Sequence, residues 1–360
     1  MDKKSIFFLG VSILILAVML YWVGIDNVIN ALKMAKLELI VLAILVQVAV
    51  YLMYNLRWNI LNNSANLNVS FKKLLPMTLV GLAINNITPS GRGGGEPVRA
   101  YILAREEGYN MEETFAAVVA DRALDTFPFI ILAIVTIIGA TFYFDIDSWL
   151  LVVMVLAVIA IVVILILLIY MCINPNFGFR LEGWILGIVK RFSKKNQENL
   201  ESRVHSIIEG FQSTIKMLLS NKKTLFITLA LSFFIWALEI SRVYFVFLAF
   251  GANINPIIIA EVFIIASLVG MIPLLPGGLG AVDGIMVLFY SAAGISSSLS
   301  AAATVIERLI SFWLATIIGM IILPYYGASV LDKISLGSNS DDDEEISDGD
   351  KKEIEAKEDE

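Results

Sequence analysis

Between Asn85 and Ala100 an apolar region is interrupted by Thr88-Pro89-Ser90-Gly91-Arg92-Gly93-Gly94-Gly95-Glu96-Pro97-Val98-Arg99. Proline has no backbone N–H to donate and a run of glycines is unfavourable in a helix interior, so no continuous helix crosses this stretch. At membrane depth, broken backbone survives only against protein or beside a water-filled cavity. The stretch therefore reads as the tip of a re-entrant hairpin that lines a polar site.

The membrane setting follows from composition. Of the 360 residues, 58% are apolar and only 16% are charged, far from the usage of a soluble domain. The single cysteine and single histidine, Cys172 and His205, leave no disulfide framework, thiolate metal cluster or Cys/His nucleophilic pair. Neither a cofactor nor a metal is expected, and nucleic acid is not an expected partner. The net charge of −7 arises from the acidic end of the chain and says little about its body.

Runs long enough to cross a bilayer are expected at about 5–22, 39–58, 126–144, 149–170, 224–250 and 303–326. The run 74–87 is too short to cross and suits a half-helix entering the Gly-rich tip, with 98–120 as its return arm. A second half-helix at 257–275 leads into Pro276-Gly277-Gly278-Leu279-Gly280. The fold class is thus an all-α polytopic membrane protein with about six transmembrane helices and two re-entrant hairpins. The loop 172–223 holds nine Lys/Arg, and its apolar residues from Leu200 to Leu218 repeat at helical spacing, as in a helix lying on the membrane surface. Residues 336–360 form an acidic tail with too little apolar content to fold, which leaves 1–335 as the membrane domain.

Lys and Arg in the short loops concentrate on one side if the N-terminus is cytoplasmic, as the positive-inside rule expects. A multi-pass protein of the cell membrane with both termini inside is the resulting expectation. The chain also repeats itself. Placing Pro89-Ser90-Gly91 over Pro276-Gly277-Gly278 gives an offset of 187 that also puts Glu96 on Asp283. Small gaps bring Asp121-Arg122 onto Glu307-Arg308 and Arg57 near Arg242. The repeat halves, about 5–145 and 149–330, each contain three crossings, so they would lie upside down to one another with the hairpins meeting near the midplane.

Every cation within a span or tip is arginine: Arg57, Arg92, Arg99, Arg122, Arg242 and Arg308. Arginine's planar fork holds phosphate or carboxylate bidentately, which lysine cannot do. Glu96, Asp121, Asp125, Glu239, Glu261, Asp283 and Glu307 are available as buried partners. The spacings Glu96–Arg99 and Glu239–Arg242 suit local helical pairs, and Glu307–Arg308 reads equally as a structural pair or a substrate contact. Asp121 and Asp125 are expected to hold Arg122 or Arg99 in place. Arg92 and Arg99 flank glycines whose bare N–H groups could cradle an anion. The glycine run lacks the Gly-Lys-Ser/Thr ending of a nucleotide loop.

The motif Thr88-Pro89-Ser90-Gly91-Arg92 with Gly95-Glu96 and Arg99, followed by Pro276-Gly277-Gly278-Leu279-Gly280 and Asp283, resembles the flippase-like transmembrane family related to the membrane region of lysylphosphatidylglycerol synthetase. The resemblance covers about 5–330. It implies two opposed re-entrant elements that move a lipid with a charged headgroup between leaflets, with Arg92, Glu96, Arg99 and Asp283 as functional residues. Asp283 stands where the family often has Glu, and the triple glycine Gly93 to Gly95 departs from its usual spacing. The family's soluble transferase domain is not expected here, so the chain is read as a transporter rather than an enzyme. The expected substrate contacts are Arg92, Glu96, Arg99, Asp283, Arg122 and Arg308. They are supported by Asp121, Asp125, Glu239, Arg242, Glu307, Gly91, Gly95, Pro276, Gly277 and Gly278. The alternative is a membrane-embedded transferase or accessory protein acting on lipid-linked sugars. A homo-oligomer is compatible with either reading.

Overall fold

The computed structural model describes residues 33–88, 93–143, 148–174, 183, 197–271, 278 and 280–326. The expected first span at 5–22 and the acidic tail lie outside these residues, as do Gly91, Arg92, Pro276 and Gly277. Among the described residues the backbone forms ten helices and no strand. Five are long and apolar enough to cross a membrane. They are α1 (Leu37–Ser64), α4 (Met111–Tyr143), α5 (Ser148–Ile173), α7 (Lys222–Ala249) and α10 (Ser297–Tyr326). The shorter helices are α2 (Phe71–Ile87), α3 (Gly95–Glu107), α6 (Gln197–Ser220), α8 (Pro256–Gly270) and α9 (Ala281–Ala292).

The order long, short, short, long occurs twice, as α1 to α4 and as α7 to α10. Helices α1 and α7 are each 28 residues long and share the most extensive interface in the molecule. One apolar core gathers Phe129, Trp236, Val243, Phe247, Ile265 and Tyr290 from α4 and α7 to α9. A second, around Trp58, Leu74, Val80, Ile102 and Val118, binds α1 to α4.

Helices α2 and α3 approach closely because the contact is made by glycine. A Cβ on Gly95 would lie 1.9 Å from the Gly81 carbonyl oxygen, a backbone proximity that only small residues permit. Gly278 and Gly270 meet in the same manner in the second half: a Cβ on Gly278 would lie 3.1 Å from the Gly270 Cα. At the base of the first pair, Lys73 Nζ reaches Glu107 Oε1 at 2.8 Å.

Two boundaries differ from the sequence reading. The expected return arm 98–120 divides, because α3 ends at Gly108 in the left-handed region (φ 74°), a conformation glycine adopts without strain. Helix α4 then begins at Met111 and runs unbroken through Asp121 and Asp125, whose charges are neutralised by arginine and do not interrupt it. Likewise α10 begins at Ser297, so Glu307 and Arg308 lie well inside it and not at its start. The expected amphipathic helix in 172–223 forms as α6, but Ile215 and Leu218 of its apolar stripe are buried, and the helix packs chiefly on α4. Part of that stripe thus covers protein. His205 sits beside Glu209, with Nε2 and Oε2 3.8 Å apart, away from the polar centre.

Candidate functional site

The charged residues of the spans converge on one cavity of ≈ 160 Å³. That is well above the roughly 10 to 15 Å³ that a single water needs. Its wall combines Arg57, Glu96, Arg99, Asp121, Arg122 and Asp125 from the first half with Glu239, Arg242, Glu307 and Arg308 from the second. Of the expected site residues that are described, Gly95, Gly278 and Asp283 lie off this wall, and Asp283 is bound to Arg308.

Arg57, fully buried on α1, spans a helical turn of α4. Its Nε meets Asp121 Oδ1 at 2.7 Å and its Nη1 meets Asp125 Oδ1 at 2.8 Å. The i and i+4 spacing of the two aspartates on α4 places both carboxylates on one face, toward the fork. Asp121 Oδ2 also accepts from Arg99 Nη2 at 2.8 Å, and the Arg99 guanidinium lies over the Trp58 ring, 4.9 Å from its centroid. Arg122 is held less firmly. Its Nε is 3.9 Å from Glu96 Oε1 and its Nη1 3.7 Å from Asp125 Oδ2, and its side chain is 35% exposed.

Arg242 on α7 holds the corresponding place in the second half. Its Nη2 meets Glu307 Oε1 at 2.8 Å, and its Nη1 donates to Glu239 and Gln47. Arg308 Nε lies 2.9 Å from Asp283 Oδ1, and its guanidinium stacks over Phe312. Asp283 Oδ2 accepts from the Gly280 N–H at 2.9 Å, which fastens the start of α9. These pairs match residue for residue: Arg57 with Asp121 and Arg242 with Glu307, then Arg122 with Glu96 and Arg308 with Asp283.

Several expected pairs are replaced. Arg99 holds Asp121 and not its helical neighbour Glu96, because the start of α3 aims Glu96 toward Asn85 and Arg122. Glu307 and Arg308 do not pair, since adjacent side chains on a helix point in different directions. Asp121 holds Arg57 as well as Arg99, while the Glu239–Arg242 pair forms as its spacing suggests. Glu261 pairs with no arginine among the described residues.

The sequence reading also missed a set of neutral polar residues. Asn85 Oδ1 accepts from the Gly95 N–H at 2.6 Å while its Nδ2 donates to Glu96 Oε1 at 3.2 Å, so one side chain fixes both the end of the glycine run and the acid after it. Asn86 Nδ2 donates to Phe312 O and Thr316 Oγ1 at 3.0 and 2.9 Å. Phe312 lies within, and Thr316 three residues beyond, a π-helical turn, Leu309–Trp313, that follows Arg308, a distortion frequent at functional positions. On α7, Ser232 Oγ accepts from Arg57 Nη1 at 2.9 Å and the Trp236 indole N–H donates to the Asp125 carbonyl oxygen at 3.2 Å. An amide or hydroxyl inside an apolar run was the available signal, and Gln47 showed it most clearly.

Nothing among the described residues groups three His, Cys, Asp or Glu side chains for a metal ion. The family model of the lysylphosphatidylglycerol synthase TM region matches residues 7–319. The chain belongs to this family. A UPF0104 membrane protein of Methanothermobacter thermautotrophicus is 49% identical over 93% of this chain and 99% of its own length. Others from Methanocaldococcus jannaschii and Pyrococcus horikoshii are 30% and 29% identical over 88% and 90% of this chain, and over 94% and 97% of their own. With its five long apolar helices, the chain is a multi-pass membrane protein.

Proposed function

We propose that the chain moves a lipid with an anionic phosphate headgroup between leaflets, using the cavity as the headgroup's station. In this reading six crossings and two opposed hairpins form an inverted repeat, and both termini are cytoplasmic. The matched pairs around one polar cavity support that arrangement, which places a substrate site between repeats near the midplane. The observation that carries the function is Arg122. It is an arginine facing the cavity, held at 3.7 and 3.9 Å between two carboxylates and a third exposed. Such a cation can exchange a loose carboxylate contact for a bidentate phosphate. Arg99 stands beside it, tied through one nitrogen to Asp121 and stacked on Trp58. Glu96, Asp283 and Arg308 fix the two short-helix pairs around them, and Arg92, outside the described residues, is the third arginine assigned to the headgroup from its place in the glycine motif.

The test is lipid flipping in proteoliposomes with a panel of labelled phosphate-headed lipids. Arg122→Lys keeps the charge but loses the fork. Loss of one charge-assisted bond, about 1.5 to 3 kcal/mol, predicts at least a tenfold slower movement, since about 1.4 kcal/mol is tenfold. A well-folded Arg122→Lys protein with wild-type flipping would overturn the headgroup role. Impermeant labelling of cysteines at Ser148 and Asn253 from outside, but not at Ser193, checks the orientation.

A further inference from the structure

Glu261 lies on α8 five residues beyond Pro256, about 8 Å along the helix axis at 1.5 Å per residue. It is 4% exposed, yet its Oε2 accepts no hydrogen bond and no cation pairs with it among the described residues. What faces it is Gly139 of α4: a Cβ there would stand 2.1 Å from Glu261 Oε1. Glycine thus leaves a slot in the α4–α8 seam for a lone carboxyl group, surrounded by apolar core.

The ionisable groups that the helices packed against α8 place in the charged centre are engaged elsewhere. Asp121 of α4 holds Arg57 and Arg99, Arg122 and Asp125 of α4 face each other, Arg242 of α7 holds Glu239, and Asp283 of α9 holds Arg308. Glu261 Oε2 and the Tyr290 hydroxyl of α9 each stand without a hydrogen-bond partner among the described residues. An uncompensated carboxylate in such surroundings is strongly disfavoured, so the slot suits the group with a proton on it. A metal ion would need several oxygens, and no second acid stands there.

The opposite face of α8 bears Phe263, Ala266 and Ser267, which line the charged cavity. A rearrangement of α8 that opens the cavity also moves Glu261 against Gly139. We propose that Glu261 is a proton-binding site that couples lipid movement to a proton gradient, an inference that rests on the transport reading above. The proton is taken from water when the slot opens to one side, travels on the carboxyl oxygen, and returns to water on the other. A proton shifts the balance between the two arrangements only through its different affinity for them. The slot provides that difference.

The experiment uses the full chain in phosphatidylcholine liposomes carrying the labelled lipid panel, with a lumenal pH dye and an imposed pH difference. One proton per lipid sets about a tenfold leaflet asymmetry per pH unit. The wild type should show this asymmetry together with lumenal pH change. Glu261→Gln, isosteric and permanently neutral, should keep downhill exchange and lose both. Infrared spectra should show a protonated-carboxyl band that disappears in Glu261→Gln and shifts in Gly139→Ala, which leaves Glu261 in place but evicts it from the slot. An unchanged gradient response in Glu261→Gln, or no such band in the wild type, overturns the proposal. If the wild type moves no lipid, the coupling falls with the transport reading, and a persisting band shows that the failure lies in transport and not in the proton site.

Discussion

In the first half of the cavity wall Arg122 stands 3.9 Å from Glu96 and 3.7 Å from Asp125, with a third of its side chain exposed. In the second, Arg308 meets Asp283 at 2.9 Å and its side chain is only 9% exposed. The same residue types hold matching positions, but the first half has more of them. Arg57 and Arg242 each meet two carboxylates, but Arg99 adds a guanidinium where an offset of 187 places the apolar Met286. In the first half one acid, Asp121, thus serves two arginines while Arg122 is only loosely held, and in the second each arginine closes on its own acids. For the proposed transport, an exchangeable headgroup contact belongs in the first, while the second is suited to holding α9 in place.

The largest expected effect separates shared from single partners. Asp121 neutralises both Arg57 and Arg99 while Glu307 serves Arg242 alongside Glu239. Removing one partner of a buried ion pair strands the other, typically at about 3 to 5 kcal/mol. Asp121→Asn should sit at the upper end of that range and Glu307→Gln lower, because Arg242 keeps Glu239. Thermal unfolding in detergent measures both. Equal losses would mean that the two halves are held alike.

The hairpins offer a smaller contrast. Gly95→Ala drives a methyl into the Gly81 carbonyl and should destabilise by about 1 to 3 kcal/mol or more. In the second hairpin Gly284 has nothing within 4 Å of an added Cβ, so Gly284→Ala should stabilise α9 by up to about 1 kcal/mol through helix propensity. A destabilised Gly284→Ala, read by the same melts, would reveal a close neighbour that α9 lacks in this structure.

The smallest effect belongs to the clip at the base of the first hairpin. Glu107's hydrogen bond and charge hold the exposed Lys73 ammonium above its ordinary range. The clip's contribution is complete below the ordinary lysine value, about 10.4, and is lost as pH rises through the raised one. Lys73→Met should leave flipping at neutral pH almost unchanged and flatten the alkaline fall in stability. A large loss of activity at neutral pH would show that the clip positions the tip.

Most of the helices were legible because a bilayer leaves a chain few options. Long apolar runs became α1, α4, α5, α7 and α10, and the runs too short to cross became α2 and α8. The glycine and proline breaks marked where helices stop, since those residues act on backbone geometry locally. Gly108 escaped notice because a single glycine after a charged helix end carries little signal by itself. That α4 continues through Asp121 and Asp125 depends on Arg57, sixty-four residues from Asp121.

The sequence by itself determined that this chain lives in a membrane, where its backbone breaks, that its embedded cations are all arginine, and that its two halves share a pattern. Those properties follow from residue-level physics: hydropathy, backbone freedom and the energetic penalty of a lone charge in hydrocarbon. Which acid answers which arginine was decided only by tertiary structure. Spacing along one helix proposes neighbours at three and four residues, but a guanidinium is captured by whichever carboxylate the packing of separate helices brings into its plane. Packing took Arg99 to Asp121, Arg242 to Glu307 and Arg308 to Asp283. It left Arg122 loosely held at the cavity and Glu261 alone beside a glycine.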